Sequence, residues 1–325
     1  MEKNPKVSVI MATYNESIEH LSLAVWSVLN QTFTDFECII VLDNPDNSEI
    51  AEYLVDLATK DSRVQIIKNE SNIGLANSLN RALAISRGEY IARMDADDIS
   101  LETRFEKQVA YLDTHDHCHV LATDRTDIDE QGNHLPTTHI VADHDVLCSA
   151  LRYANALTHP SVMMRKDFLE RVGGYRDLKA AQDYELWLRM LKYGVNFYIL
   201  PEILLQYRIR QTGISKSNVA KQHLNTLYAQ YLFKHEAVGE GLFNAEHMQA
   251  FSKKKQLLSD QGKDRYNKAY ALFFGGLYRL KNENFIRGFF DILKAICTHK
   301  EILPFVLRSV KRDRILRGYI RVDQQ

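Results

Sequence analysis

The sequence predicts an α/β chain: a mostly parallel central sheet flanked by helices, followed by a helical C-terminal extension. Three observations predict it. Apolar runs of strand length alternate with stretches of helical period through the first hundred residues, and such alternation implies crossover connections and a sheet covered on both faces. Polar segments follow three of those runs directly: Thr13-Tyr14-Asn15-Glu16, Asp43-Asn44 and Asp95 to Asp98. From about Ser217 onward the pattern is helical throughout.

Taken in order, Val7 to Met11 reads as a buried strand, and Ile18, Leu21, Val25, Val28 and Leu29 follow at helical spacing. Phe36 to Leu42 is a second strand, Ile50 to Ala58 a helix, Val64 to Ile67 a third strand, Leu75 to Ile85 a helix and Glu89 to Met94 a fourth strand. Leu101 to Leu112 and Asp145 to Tyr153 read as helices around a short strand, Val120 to Thr123, and a polar, turn-rich stretch from 124 to 140. Ser161 to Met164 is strand-like, Gly173-Gly174-Tyr175 a turn, and Asp183 to Leu191 an amphipathic helix. In the extension, Leu272-Phe273-Phe274 supplies one apolar face, and Phe285, Phe289, Ile292, Leu293 and Ile296 supply another. The expected organisation is a domain over 1–215, in two parts (1–100 and 101–215), with the helical extension over 216–325.

Composition excludes some classes. A formal net charge of -1 over 325 residues gives no basis for nucleic-acid binding. Cys38, Cys118, Cys148 and Cys297 form no C-x-x-C pair, which fits a reduced, cytoplasmic protein. The opening residues run straight into a strand without a leader-type apolar segment, and no apolar run reaches the roughly 20 residues needed to span a bilayer. Charge is uneven, however. Arg279 to Arg321 holds eleven Lys/Arg and four Asp/Glu, a net of +7, which leaves -8 for the rest. That tract reads either as a solvated helical face or as an interfacial helix pair on anionic lipid, which would make the protein peripheral on the inner face of the plasma membrane.

Open sheets bind ligands at the carboxyl ends of their strands, so the three polar segments converge on one rim. In Met94-Asp95-Ala96-Asp97-Asp98, three carboxylates within four residues repel one another unless a positive group sits among them. Asp oxygens suit hard cations such as Mg²⁺ or Mn²⁺, and a cation held by few protein oxygens keeps positions that a diphosphate can fill. The competing reading is an acidic turn in which Asp98 or Ser100 caps the next helix. His115-Asp116-His117-Cys118-His119 lacks a second ligand group at metal-site spacing and reads as structural or surface histidines.

Several motifs occur in a familiar order: Val7 to Glu16 (VSVIMATYNE), Asp43 after an apolar strand, and Asn72-x-Gly74-x-Ala76 with Asn80 and Arg81. Gly88-Glu89-Tyr90-Ile91, Asp95-Ala96-Asp97-Asp98, His159-Pro160-Ser161-Val162-Met163, Gly173-Gly174-Tyr175 and Asp183-Tyr184-Glu185-Leu186-Trp187-Leu188-Arg189 follow. Together, over roughly residues 6–212, they resemble family 2 glycosyltransferases of the GT-A fold. The resemblance implies inverting transfer of a sugar from a nucleotide-diphosphate donor, usually a UDP-sugar, to a hydroxyl of a glycan or lipid-linked acceptor in surface polysaccharide, capsule or lipopolysaccharide synthesis. It implies that residues 1–100 form the nucleotide-binding half and 101–215 the acceptor half, that Thr13, Tyr14, Asn15, Glu16 and Ala96 line the nucleotide-sugar pocket, that Asp43 accepts from the base, that Asp95 contacts the ribose or helps hold the metal, that Asp97 ligates Mn²⁺ or Mg²⁺, and that Asp183 is the general base.

Some positions keep two readings. Asp43 binds the base or caps the helix near Ser48; Asp183 is the base or a first-turn acid on the helix dipole. Asn72 shapes a turn or borders the donor, Arg81 meets the diphosphate or solvent, and His159 faces the acceptor or is a satisfied loop histidine. Two positions depart from the family pattern. Gln182 stands where many relatives carry an acid, and Arg210 stands where many carry a histidine. An arginine cannot ligate a cation but pairs with phosphate. The alternative function is a catalytically silent nucleotide-sugar-binding or scaffold protein. A nucleotidyltransferase is disfavoured by the lack of a glycine-rich loop near residues 10–16, and a processive synthase by the lack of spans and of a Gln-x-x-Arg-Trp signature.

Overall fold

A computed structural model describes residues 4–140, 142–210, 219–255, 259–282 and 285–322. The chain runs β1 (Val7–Thr13), α1 (Ile18–Leu29), β2 (Phe36–Leu42), α2 (Ser48–Lys60), β3 (Val64–Lys68), α3 (Leu75–Ile85), β4 (Tyr90–Asp95), β5 (Ile99–Ser100) and α4 (Arg104–Thr114). It continues through β6 (Val120–Ile128), β7 (His134–Leu135), β8 (Thr138–Ile140), α5 (His144–Leu151), β9 (Met163–Arg165), α6 (Lys166–Arg171), α7 (Gln182–Lys192) and β10 (Phe197–Arg208). The remainder comprises α8 (Val219–His235), α9 (Ala245–Lys255), α10 (Asp260–Asn282), α11 (Phe285–Thr298), α12 (Ile302–Ile315) and β11 (Ile320–Val322). The mixed α/β architecture with a helical C-terminal part expected from the sequence is the one found.

The main sheet has the order β3-β2-β1-β4-β9-β6-β10-β5, with β7 on β6. β3, β2, β1 and β4 are parallel, β9 is antiparallel to both β4 and β6, and β10 is parallel to β6. Alternation along the strands divides the core between the two faces. Ile10, Ile39 and Val41 pack with α3, α5 and α7 on one face. Val9, Met11, Cys38 and Ile40 pack with α1, α2 and α4 on the other. Parallel register sets Ala12 beside Asp95 and Thr13 beside Leu42, so the carboxyl ends of β1, β2 and β4 form one edge. The site is built there.

Three segments differ from the sequence expectation. Residues 124–140 are not simply turns: β6 runs on to Ile128, and β7 and β8 follow. The polar residues of this strand pair among themselves, as in Arg125 Nε to Asp127 Oδ1 at 2.7 Å, so it shows no apolar period. β10 was not anticipated at all. Its Pro201 and the register shifts beside β6 between Leu200 and Leu205 break the alternation that marks a strand. Finally, the extension does not end in helix. Three-residue β11, too short to show a period, pairs antiparallel with β8 and returns the chain to the sheet domain.

The expected boundary at 215/216 lies outside the described residues. Beyond it, α8 packs on α7, and Ala229 and Leu316 join the same core as the sheet. α10 and α11 pack closely where Gly276 faces Gly288: a Cβ at Gly288 would meet the Gly276 carbonyl at 2.6 Å. Ile292 and Ile296 point into this helical core, whereas Phe285, Ile286, Phe289 and Phe290 are exposed, Phe285 by 71%. The predicted apolar face of α11 is thus split between packing and solvent. Among the described residues, no helix is long and apolar enough to cross a membrane.

Candidate active site

β4 delivers Asp95 at its last residue, and β5 then pairs with β10, Ser100 beside Leu205. This pairing pins the intervening acidic loop. The Arg208 N–H donates to Asp98 Oδ1 at 2.7 Å, and Arg208 Nε donates to the Asp97 carbonyl at 2.8 Å. Asp98 therefore anchors the loop to β10 rather than capping the next helix, whose N-cap is Thr103. Carboxylate oxygens of Asp95, Asp97 and Asp98 lie within 4.8 Å of one another. Among the described residues this is the cluster of three acids, histidines or cysteines spaced to share a cation. The histidines at 115–119 instead serve packing: the His117 ring meets Tyr198, and His119 Nδ1 accepts from the Asn196 N–H.

The cluster is crowded with negative charge, and the protein answers with cations from β4 and from the segment just after β10. Arg93, buried beneath the loop, is ion-paired with Asp95. Arg210 Nε sits 2.7 Å from Asp97 Oδ2, and its Nη2 lies 3.6 Å from Glu16. Burial, followed by repulsion from Asp95, still pushes the Asp97 carboxyl up to about 6, with Arg210 opposing. Burial and the same neighbours raise Asp98 well above the carboxylate range. Asp98 Oδ2 is buried without a hydrogen-bond partner. Hard oxygens, close spacing and an unmet demand for positive charge all fit a divalent cation.

The nucleotide-side residues line the edge beside this cluster. Thr13 Oγ1 and the Tyr14 N–H both donate to Glu16 Oε2 at 2.7 Å, and Asn44 donates to Asn15. Asp43 is buried and accepts from Asn69 Nδ2 and the N–H groups of Ile73 and Gly74 at 2.7–2.9 Å. It thereby holds the 69–74 loop; the cap of α2 is Asn47, not Asp43. Gly74 has φ +86°, a conformation that admits glycine at the turn into α3. Asn72 is exposed, and exposed Arg81 donates to Asn69.

Across the cavity, α7 begins at Gln182, so Asp183 stands in its first turn. Ala181, just before it, adopts a left-handed conformation (φ 55°), the only non-glycine among the described residues to do so. Asn155 Nδ2 donates to Asp183 Oδ2 at 2.8 Å. Burial raises the Asp183 pKa, while its hydrogen bonds and the charge of Arg93 oppose. Behind it, fully buried Trp187 packs edge-on against Phe197 and His159. His159 Nε2 lies 2.9 Å from the Tyr175 hydroxyl, and burial holds the imidazole neutral, far below its usual pKa. It is a satisfied, buried histidine that also lines the cavity.

Asp95, Asp97, His159, Gln182, Asp183 and Arg210 line one cavity of about 360 Å³. Ala96 is buried behind the loop. Thr13 to Glu16, Asp43, Asn72 and Arg81 do not line it; they form the neighbouring rim, joined through the Glu16–Arg210 contact. Sequence reasoning missed Arg93, Asn155, Arg125 and Tyr207, which also line the cavity. Arg93 carried a signal, since a lone arginine in the apolar run of β4 must meet a buried partner. Asn155 lies in a loop without pattern and carried none.

A model of glycosyl transferase family 2 matches residues 8–173. The chain is 39% identical over 225 residues to the uncharacterized glycosyltransferase MJ1057 of Methanocaldococcus jannaschii, covering 69% of this chain and 78% of that protein. It is 36% identical over 217 residues to the O-antigen biosynthesis glycosyltransferase WbnJ of Escherichia coli, covering 66% and 84%. Among solved structures, S. aureus TarS 1-349 in complex with UDP-GlcNAc is similar with a TM-score of 0.60 at 18% identity, covering 97% of this chain and 89% of that one. The chain spans 54% of a longer TarS structure.

Proposed function

Because this chain belongs to glycosyl transferase family 2, we propose that it transfers a sugar from a UDP-sugar to an acceptor hydroxyl in a single inverting displacement. The observation that carries this reading is one cavity lined both by two acids of the cluster, Asp95 and Asp97, with Arg93 and Arg210, and by a carboxylate from a separate helix, Asp183. The leaving group of such a transfer is a nucleoside diphosphate, whose developing negative charge needs neutralising. The acceptor hydroxyl needs a group to take its proton. The two sets of lining residues match those two needs. Asp97, with Asp95, would hold Mn²⁺ or Mg²⁺, which when bound supplies Lewis-acid stabilisation of the diphosphate. Arg210 adds a guanidinium suited to phosphate oxygens once it leaves Asp97. Asp183, oriented by Asn155 and fixed by the Trp187 face, accepts the hydroxyl proton. Thr13 to Glu16 and Asp43 border the nucleotide, and Gln182 and His159 line the acceptor side.

The likeness to a UDP-GlcNAc-bound fold supports a UDP donor, and the O-antigen relative supports a role in surface polysaccharide or lipopolysaccharide synthesis. The exposed apolar ridge of α11 beside the basic tract supports peripheral attachment to anionic lipid on the cytoplasmic face, where a lipid-linked acceptor would be met. Flotation with phosphatidylglycerol vesicles tests this attachment. Phe285→Ser with Phe290→Ser should abolish it; binding unchanged in that variant rejects it.

The deciding experiment for the activity is turnover of a panel of nucleotide sugars with Mn²⁺, Mg²⁺ or EDTA. Turnover of one donor, lost in EDTA and in Asp97→Ala and Asp183→Ala, establishes it. Donor binding without turnover, with lipid-linked acceptor extracts present, points instead to a silent binding protein.

A further inference from the structure

A second cavity of about 510 Å³ lies beside the first, and the two meet along Arg125, Asn155, Leu157 and Thr158. Its volume falls within the roughly 300–1,000 Å³ usual for small-molecule sites. The C-terminal segment builds one side of it: Arg312 of α12, Leu316, and Ile320 of β11. β6 and β8 build the other, with Asp124 and Thr138. No residue of the reaction chemistry outlined above faces it except through the shared wall.

The lining has a definite chemical character. Asp124 and Asp313 balance Arg125 and Arg312, so the cavity carries no net charge to select an ion. Asp124 accepts from His139 Nδ1 and from the Arg125 N–H, both at 2.8 Å. A carboxylate offers about four acceptor sites, which leaves capacity for hydroxyl groups. Thr138 adds a hydroxyl, and Ile140, Leu316 and Ile320 supply apolar walls. Fixed acceptors and donors beside apolar walls suit a sugar ring, which has hydroxyls at its rim and C–H groups on its faces.

The shared wall links this cavity to the proton acceptor. Asn155 donates through its side chain to Asp183, while its carbonyl accepts from Arg312 Nη1 at 3.4 Å. Asn155 thus touches both the carboxylate read as the base and the space of the second cavity. We propose that this cavity is an acceptor subsite for uncharged saccharide, taking the ring or rings beyond the one that receives the transferred sugar. The proposal rests on the reading of Asp183 as the base. It makes the C-terminal segment, which lies outside the span of the family model, part of acceptor selection.

The test is saturation-transfer NMR on the full chain with UDP and Mn²⁺ present, using glucose, galactose and N-acetylglucosamine beside cellobiose, lactose and chitobiose. At least one disaccharide should bind about tenfold more tightly than its monosaccharides. Thr138→Trp and, independently, Ile320→Trp fill the cavity from the two strands of the small sheet and should erase that gain. UDP binding and the melting temperature of each variant report folding. No preference for disaccharides, or a preference that survives both fillings in folded protein, overturns the subsite. Failure of wild-type protein to bind UDP at all would instead overturn the proposed function.

Discussion

The two ends of the active-site cavity solve opposite electrostatic problems. At one end, Asp95, Asp97 and Asp98 are held too close for three free carboxylates, and Arg93, Arg208 and Arg210 surround them. At the other, Asp183 is a single acid whose direct partners are neutral amides, Asn155 and backbone N–H groups. Crowded carboxylates, with Asp98 Oδ2 still unpartnered, suit phosphate and metal handling. A lone buried carboxylate without an ion pair keeps its basicity through burial, which outweighs the charge of Arg93, and suits proton transfer. One cavity can therefore hold leaving-group chemistry and nucleophile chemistry on different side chains.

The largest expected effect breaks the proton-transfer end alone. Asp183→Asn keeps the size and the contact to Asn155 but removes the basicity. Turnover should fall on the order of 10²–10⁴-fold, while UDP affinity, measured calorimetrically with Mn²⁺, stays within a factor of about two. A matching loss of UDP affinity would show that the two ends are not separate. Asp97→Asn should give the converse pattern. Turnover should fall on the order of 10²–10³-fold, with Mn²⁺ and UDP binding weakened together.

The pH profile sharpens the same contrast. The Asp97 carboxyl, raised to about 6, binds a proton in competition with a cation, so activity at limiting Mn²⁺ should fall as pH drops through about 6. Saturating Mn²⁺ should shift that limb to lower pH, leaving the limb set by Asp183. Stability of the metal-free protein should move the opposite way. A carboxyl whose folded pKa lies above its unfolded value binds protons better in the folded state, so its contribution declines as pH rises from about 4 through about 6. Thermal melts in EDTA across that window check the sign.

Arg210→Ala should act at the acid-cluster end only and more weakly. It removes a charge-assisted contact to Asp97 whose partner role passes to phosphate, so UDP affinity should drop on the order of tenfold, with partial rescue in Arg210→Lys. Direct Mn²⁺ binding without nucleotide, followed by electron paramagnetic resonance, should tighten, because the guanidinium no longer competes for Asp97. Unchanged Mn²⁺ binding would mean that the Arg210–Asp97 pair does not guard the site.

The two ends were also unequally legible. The acidic loop could be read because its chemistry is local: three acids in four residues at the end of an apolar strand. β2 and α3 were legible to the residue, since a parallel strand buried on both faces reads as a near-continuous apolar run and an amphipathic helix writes its period into the sequence. The frame that holds both ends was not. β10, which pins the acidic loop through Arg208, carries a proline and bulges that erase its period. Asn155 meets Asp183 only through tertiary packing, and β11 is recognisable only from its partner β8. Residues whose role depends on contacts across the fold leave no local pattern.

The smallest effect concerns how the proton-transfer end is aimed. Ala181 holds φ 55° immediately before α7, a region that costs an L-residue roughly 1–2 kcal/mol and glycine little. Glycine also gains more freedom in the unfolded chain, so Ala181→Gly should leave stability between unchanged and about 1 kcal/mol higher. If the strained alanine serves to fix the first turn of α7, the same change should lower turnover a few-fold, because Gln182 and Asp183 lose part of their restraint. UDP affinity, governed by the other end, should not move. A stabilised variant with unaltered turnover would show that the left-handed residue is a tolerated turn and that Asn155 and the Trp187 packing alone hold the base in place.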